Sequence, residues 1–169
     1  MPHCSADQWP HLTKAAFVEP MLLLRTDKLP EGGKWQYEIK LDGFRSIAFK
    51  SAGRVHLRSR NDKDFNGKYP GVAKALAAMP EETVIDGEIV ALDEAGRPSF
   101  NALQNHGSST SALYYYVFDV MVVAGTDVMT EPLTVRRELL QERVLATLDD
   151  PIRQSPVLEA TLPDLLYQR

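Results

Sequence analysis

A single cysteine, Cys4, stands in the 169-residue chain, so no disulfide can form within it and nothing points to an oxidising compartment. Its place in an opening segment expected to fray argues against a nucleophile or metal ligand there. Positive charge is not in excess either. The formal net charge is -4, so no global field draws the chain to nucleic acid, and a polyanion would need a local basic patch. No apolar run approaches membrane-spanning length, and the start, Met1-Pro2-His3-Cys4-Ser5-Ala6-Asp7, lacks the basic and apolar regions of a signal peptide. A cytoplasmic protein with no membrane partner is expected. Repeats, low-complexity tracts and interdomain linkers are absent from the pattern. What remains, 44% hydrophobic and 25% charged, is an ordinary globular composition able to fill one core.

Pro10, Pro20 and Pro30 punctuate the first 34 residues, which show little periodicity. Residues 1–17 read as a flexible arm, and Val18 to Leu24 as an extended apolar piece covering the core. Trp35, Tyr37 and Ile39 alternate with Gln36, Glu38 and Lys40, the period of a strand with one packed face. Asp42-Gly43 is a turn dipeptide, after which the strand pattern resumes through Phe44, Ile47 and Phe49. Residues 44–50 and 54–60 flank Ser51-Ala52-Gly53 as a hairpin. A helix is expected over 68–79, with Val72, Leu76 and Met79 inward, and a buried strand over 83–92. A short helix over 100–104 and a polar loop over 105–111 follow. Residues 114–123 form the strongest strand, apolar on both faces and therefore central. The last clear element is a helix capped by Thr134. Its inner stripe is Val135, Leu139, Leu140, Val144 and Leu148, with Arg136, Arg137, Glu138 and Glu142 outside.

Several of these residues invite chemistry. Lys40, beside a glycine turn and followed by Arg45, is placed either as a nucleophile or as a solvated hairpin lysine. Arg54, Arg58 and Arg60 share one strand face, either as solvated charge or, with Lys40 and Arg45, as an anion site, since guanidinium forks match phosphate. His56 has no partners at metal spacing and reads as structural. Asp86 and Glu88 lie on the same side of a buried strand, so each requires a cation, a hydrogen-bond donor or a ligand. Asp119 is a third acid inside an apolar run and reads as structural.

Lys40-Leu41-Asp42-Gly43-Phe44-Arg45 resembles the K-x-D-G-x-R nucleotidyl-transfer motif of ATP-dependent DNA ligases. Ser59-Arg60-Asn61, Asp86-Gly87-Glu88-Ile89-Val90, Ser99-Phe100 with Leu103-Gln104, Tyr116-Val117-Phe118-Asp119, and Pro132-Leu133 with Arg136-Arg137 continue the pattern in order. The set is most similar to the bacterial end-joining ligase D type. NAD-dependent ligases usually have alanine at the place of Arg45 and T-R-G-D-G at Ser59 to Asp62, so ATP is the implied nucleotide. The implied fold is α+β, mainly antiparallel sheets with flanking helices, part of the ATP-grasp-like nucleotidyltransferase fold of ligase adenylation domains, over residues 18–169. Lys40 would attack the α-phosphate of ATP, made neutral by burial and by the neighbouring cations Arg45 and Arg60. Those arginines would bind ribose and phosphates, with Ile39 and Leu41 also lining the nucleotide. Glu38 would accept from the adenine amino group and Phe118 would stack on the ring. Asp42 would position Lys40 or a metal. Glu88 would contact the ribose or hold Mg2+ or Mn2+.

The same resemblance sets a limit. The family pattern continues with E-G-[IV]-V and K-x-K segments and an OB-fold domain, and none of these occurs in the sequence; residues 150–169 contain no lysine. Nicked or broken duplex DNA would then be a partner only with further domains, and nick sealing by this chain alone is not expected. The alternative is a non-catalytic remnant that at most binds ATP. A sheet edge left unpaired would offer a route to self-association.

Overall fold

A computed structural model describes residues 12–30, 32, 35–105 and 111–158. The expected hairpin is present as β2 (Phe44–Ser51) and β3 (Arg54–Ser59). Ala52 and Gly53 between them have φ of 51° and 72°, the double left-handed turn whose twist suits a two-residue hairpin. On its other side β2 pairs with β4 (Thr83–Ala91), and β4 with β5 (Leu113–Val123), all antiparallel. The short β6 (Thr126–Asp127) and the parallel β7 (Ile152–Gln154) both pair with β5, which is central as its two apolar faces require. Residues 64–66 cover part of the free edge of β3, where Asn66 Oδ1 accepts from Leu57 N and Phe65 N donates to the Leu57 carbonyl.

One face of the sheet carries α1 (Pro70–Ala75), the 3-10 turn Leu76–Ala78, α2 (Phe100–Gln104) and α3 (Leu133–Leu139). Leu57, Val72, Leu76, Ile85, Ile89, Tyr115 and Val117 are buried there. Pro70 opens α1, where its missing N–H costs nothing, and Ser99 Oγ caps α2 by accepting from Ala102 N. Tyr115 crosses Gly87 to donate its hydroxyl to the Ser46 carbonyl at 2.8 Å. A Cβ at Gly87 would strike the Tyr115 ring and the Tyr116 carbonyl oxygen, so this crossing needs glycine.

The opposite face holds a smaller cluster of Ile47, Val84, Met121 and Val122, closed over by Ala15, Phe17 and Val18. Residues 12–17 are tied in place: Thr13 N donates to the Gly125 carbonyl, and Ala15 N to Glu82. The apolar piece that covers the core is thus shifted upstream of its expected place. Met21 to Leu24, expected to pack, are 67–94% exposed, because Pro20 is the last buried residue of the segment.

Four further expectations are corrected. The strand before Lys40 shrinks to β1 (Tyr37–Glu38), which pairs with β8 (Val157–Leu158) and not with β2, so Asp42-Gly43 closes no hairpin. Trp35 and Ile39, on the side expected to pack, are 57% and 50% exposed. Gly43 is required for a different reason: a Cβ there would collide with the Ile89 carbonyl oxygen of β4. In α3, Pro132 and not Thr134 precedes the first turn, and the helix loosens into a π-helical turn at Leu140–Val144. Leu140 and Val144 are buried as expected, whereas Val135 is exposed and Arg137 is buried. Arg137 lies inward because it has partners there, donating to the Glu38 carboxylate and to the Ser155 carbonyl. An apolar stripe cannot register a buried cation whose acceptors come from distant segments. The polar loop expected over 105–111 lies mostly outside the described residues.

Candidate functional site

Strand alternation puts Arg45 of β2 and Asp86 and Glu88 of β4 on the face that residues 12–18 cover only in part. Asp86, 5% exposed, meets Arg45 in a two-pronged contact, Nε to Oδ1 at 3.1 Å and Nη2 to Oδ2 at 2.6 Å. Burial pushes the Asp86 carboxyl above its ordinary value, and the Arg45 fork offsets part of that. The remaining prong, Arg45 Nη1, donates to the Met21 carbonyl at 2.8 Å and holds the exposed Met21–Leu24 strap beside the site.

Phe118 enters through an irregularity in β5. Asp86 pairs with Asp119 and Gly87 with Val117, so Phe118 is an extra residue with no partner opposite. Such bulges re-aim a side chain, and here the Phe118 ring centroid is 5.3 Å from the Arg45 guanidinium carbon. Asp119 is taken up by Arg136 at 2.8 and 2.9 Å, a structural pair.

The segment from Lys40 to Gly43 crosses this face without regular pairing. Leu41 is buried, and Gly43 N donates to Glu88 Oε1 at 2.7 Å, which fixes the main chain on either side of Asp42. Lys40 and Asp42 themselves are exposed, so the burial expected around Lys40 is not found. Both act on Glu88. Its carboxyl is pushed up chiefly by burial; the Gly43 N–H and the charges of Lys40 and Arg45 oppose this, and Asp42 adds to it. Beside Glu88 opens a cleft of about 700 Å³, walled by Gly43, Phe44, Arg45, Arg60, Lys63 and Glu88, with Leu22 and Leu23 at its rim.

The structure therefore gathers Arg45, Arg60 and Glu88 in one cleft, with Lys40 near Glu88 and Phe118 against Arg45. It gives Glu38 to Arg137, leaves Ile39 exposed and turns Leu41 inward. Arg58, grouped with Arg60 by sequence, is instead bound to Asp62 and Asp64, and His56 stacks on Phe49 at 4.7 Å. Lys63 on the cleft wall escaped sequence reasoning because its loop has no periodicity to give it a direction. Among the described residues no group of three or more His, Cys, Asp or Glu is arranged to hold a metal ion. No described helix is long and apolar enough to cross a membrane.

The elevated Glu88 carboxyl has a measurable consequence. The native state favours its protonated form more than the unfolded chain does, so wild-type stability falls as pH rises from the ordinary value of 4.5 through the native one. Glu88→Gln keeps an acceptor for Gly43 N–H and removes the half-buried charge. The variant should melt above the parent near neutral pH and together with it below pH 4.5, as thermal scans across pH would read. Equal melting at every pH would refute this account.

Residues 20–161 match the family described as ATP dependent DNA ligase domain. The multifunctional non-homologous end joining protein LigD of Pseudomonas aeruginosa is 39% identical over 141 residues, covering 81% of this chain and 17% of that protein. DNA ligase C1 of Mycolicibacterium smegmatis is 36% identical over 143 residues, covering 75% of this chain and 41% of its own. A solved mycobacterial DNA ligase D complexed with ATP and MES superposes with a TM-score of 0.64 at 30% identity, over 77% of this chain and 42% of that one. The chain thus spans well under half the length of these relatives.

Proposed function

The chain belongs to the ATP-dependent DNA ligase domain family, and from that premise we propose that it carries an adenylation site in which Lys40 becomes joined to AMP. The observation that carries the reading is the presentation of Lys40: exposed, on a segment pinned by Leu41 and Gly43, next to a cleft that offers Arg45 and Arg60 to an anion. The neutral Lys40 amine attacks the α-phosphorus of ATP. A nitrogen–phosphorus bond forms, the bond from the α-phosphorus to the bridging oxygen breaks, and pyrophosphate leaves with the bonding pair. The amine proton goes to solvent. Arg60 and Arg45 meet the charge that builds on phosphate oxygens, Arg45 being held in place by Asp86.

Phe118 stacks on adenine and Glu38 accepts from its amino group, with Ile39 flanking the nucleotide and Leu41, buried, anchoring the segment beneath it. The Glu38–Arg137 pair then serves to orient the acceptor. The family implies a divalent cation. Glu88 has one carboxylate oxygen not bonded to Gly43, and Asp42 is near it, oxygen donors that would hold magnesium or manganese. Such an ion would neutralise charge on the departing pyrophosphate. In a ligation reaction the AMP would then pass to the 5′-phosphate at a nick or break in duplex DNA.

The test is direct. Incubation with ATP and magnesium should raise the intact mass by one AMP moiety, mapped by peptide analysis to Lys40. Absence of the adduct at high protein concentration would overturn the reading. ATP binding without an adduct would leave a nucleotide-binding module.

A further inference from the structure

We propose that Lys63 is a phosphate-binding residue of the cleft, reading the β- and γ-phosphates of the nucleotide; this rests on the cleft being the ATP site. Lys63 ends a turn that begins at Ser59, the last residue of β3. Ser59 N donates to the Lys63 carbonyl at 2.9 Å, and Asp62 N to the Ser59 carbonyl at 2.9 Å. The Ser59 hydroxyl in turn accepts from Asn61 N at 3.3 Å and from Lys63 N at 3.1 Å. Asp62 takes a left-handed φ of 56° to close the turn, a conformation that an aspartate tolerates. The backbone is thus fixed before any ligand arrives, and both Arg60 and Lys63 line the cleft.

The charge around this turn is sorted. Its two acids, Asp62 and Asp64, are both engaged by Arg58, which bonds Asp62 Oδ1 at 2.8 Å and the Asp62 carbonyl at 2.7 Å and lies 3.8 Å from Asp64 Oδ1. Arg45 is answered by Asp86. Among the described residues Lys63 has no ion-pair partner, so with Arg60 it outweighs the one carboxylate on the cleft wall, Glu88. An ammonium on a flexible stem can follow the rotating terminal oxygens of a polyphosphate, whereas a rigid fork suits one fixed phosphate. On that reading Lys40 and Glu88 mark where the α-phosphate reacts; Lys63, on the wall of the same cleft, is then available to the phosphates that leave.

The test compares binding of AMP with that of α,β-methylene-ATP and magnesium, an analogue that cannot transfer AMP to Lys40. Isothermal calorimetry on the 169-residue wild type, Lys63→Ala and Lys63→Arg should show Ala weakening the analogue about tenfold, the order of a charge-assisted hydrogen bond, with AMP unchanged and Arg recovering part of the loss. An unchanged melting temperature should accompany this, since the exposed side chain is no part of the turn's bonding. Equal weakening of AMP and the analogue, or no weakening of either, would overturn the assignment. So would loss of binding to nicked duplex DNA with the analogue unaffected, which would give Lys63 to the nucleic acid. A missing AMP adduct in wild type, with the binding difference intact, would instead refute the transfer reading and leave this one standing.

Discussion

Lys40→Ala protein should carry no AMP at any ATP concentration and yet fold as the parent does. The two halves have separate physical grounds. Lys40 is exposed and has no ion-pair partner among the described residues, so truncating it should change stability by no more than about 0.5 kcal/mol. In the proposed transfer, however, its amine is the atom that would form the bond to phosphorus, and no electrostatic adjustment elsewhere replaces a missing nucleophile. Intact mass spectrometry after incubation with ATP and magnesium reads the first half, and a thermal melt reads the second. An adduct that persists in the variant, mapped to another lysine, would show that the nucleophile is misassigned.

Asp86→Ala should strongly destabilise the fold around the site. It leaves the Arg45 guanidinium, whose side chain is 20% exposed, with only the Met21 carbonyl in place of its carboxylate. Breaking a buried pair by removing one partner typically costs about 3–5 kcal/mol; with Arg45 partly reached by water, about 3 kcal/mol is expected. In a chain of this size that corresponds to roughly 6–12 °C in Tm. The companion double variant Arg45→Met, Asp86→Leu removes both charges and should recover much of the loss, because an unpaired buried ion and not a missing attraction is what destabilises the single variant. If Asp86→Ala melted with the parent, the pair would be contributing nothing and Arg45 would be free to move without it.

These residues also show what a sequence can and cannot disclose. Asp86 and Glu88 were legible as acids that must find partners, because an apolar run on both faces announces burial; each has one, a guanidinium and a backbone N–H. The β2–β3 hairpin, β4, β5 and α2 were legible for the same reason, a local period closed by local turn chemistry. Features set by distant segments were not. Arg137 reads as an outward residue until Glu38 and Ser155 are brought to it. Phe118 looks like any member of an apolar strand, since a bulge is a relation between two strands and leaves no mark in one. Met21 to Leu24 look like core, yet Ala15, Phe17 and Val18 already occupy the place. Gly43 reads as a turn residue, and only the course of β4 reveals that Ile89 is what forbids a side chain.

The pairing of β1 with β8 bears on the order in which the molecule can be made. Tyr37 and Glu38, just before Lys40, are held by Leu158 and Val157 and through Arg137 to Ser155, residues 99 or more positions later in the chain. On the ribosome the β2–β3–β4 sheet can assemble while this partner is still unmade. The strand leading to Lys40 must wait. Translation thus supplies a built-in delay: the nascent chain acquires its scaffold first and its ordered approach to Lys40 afterwards.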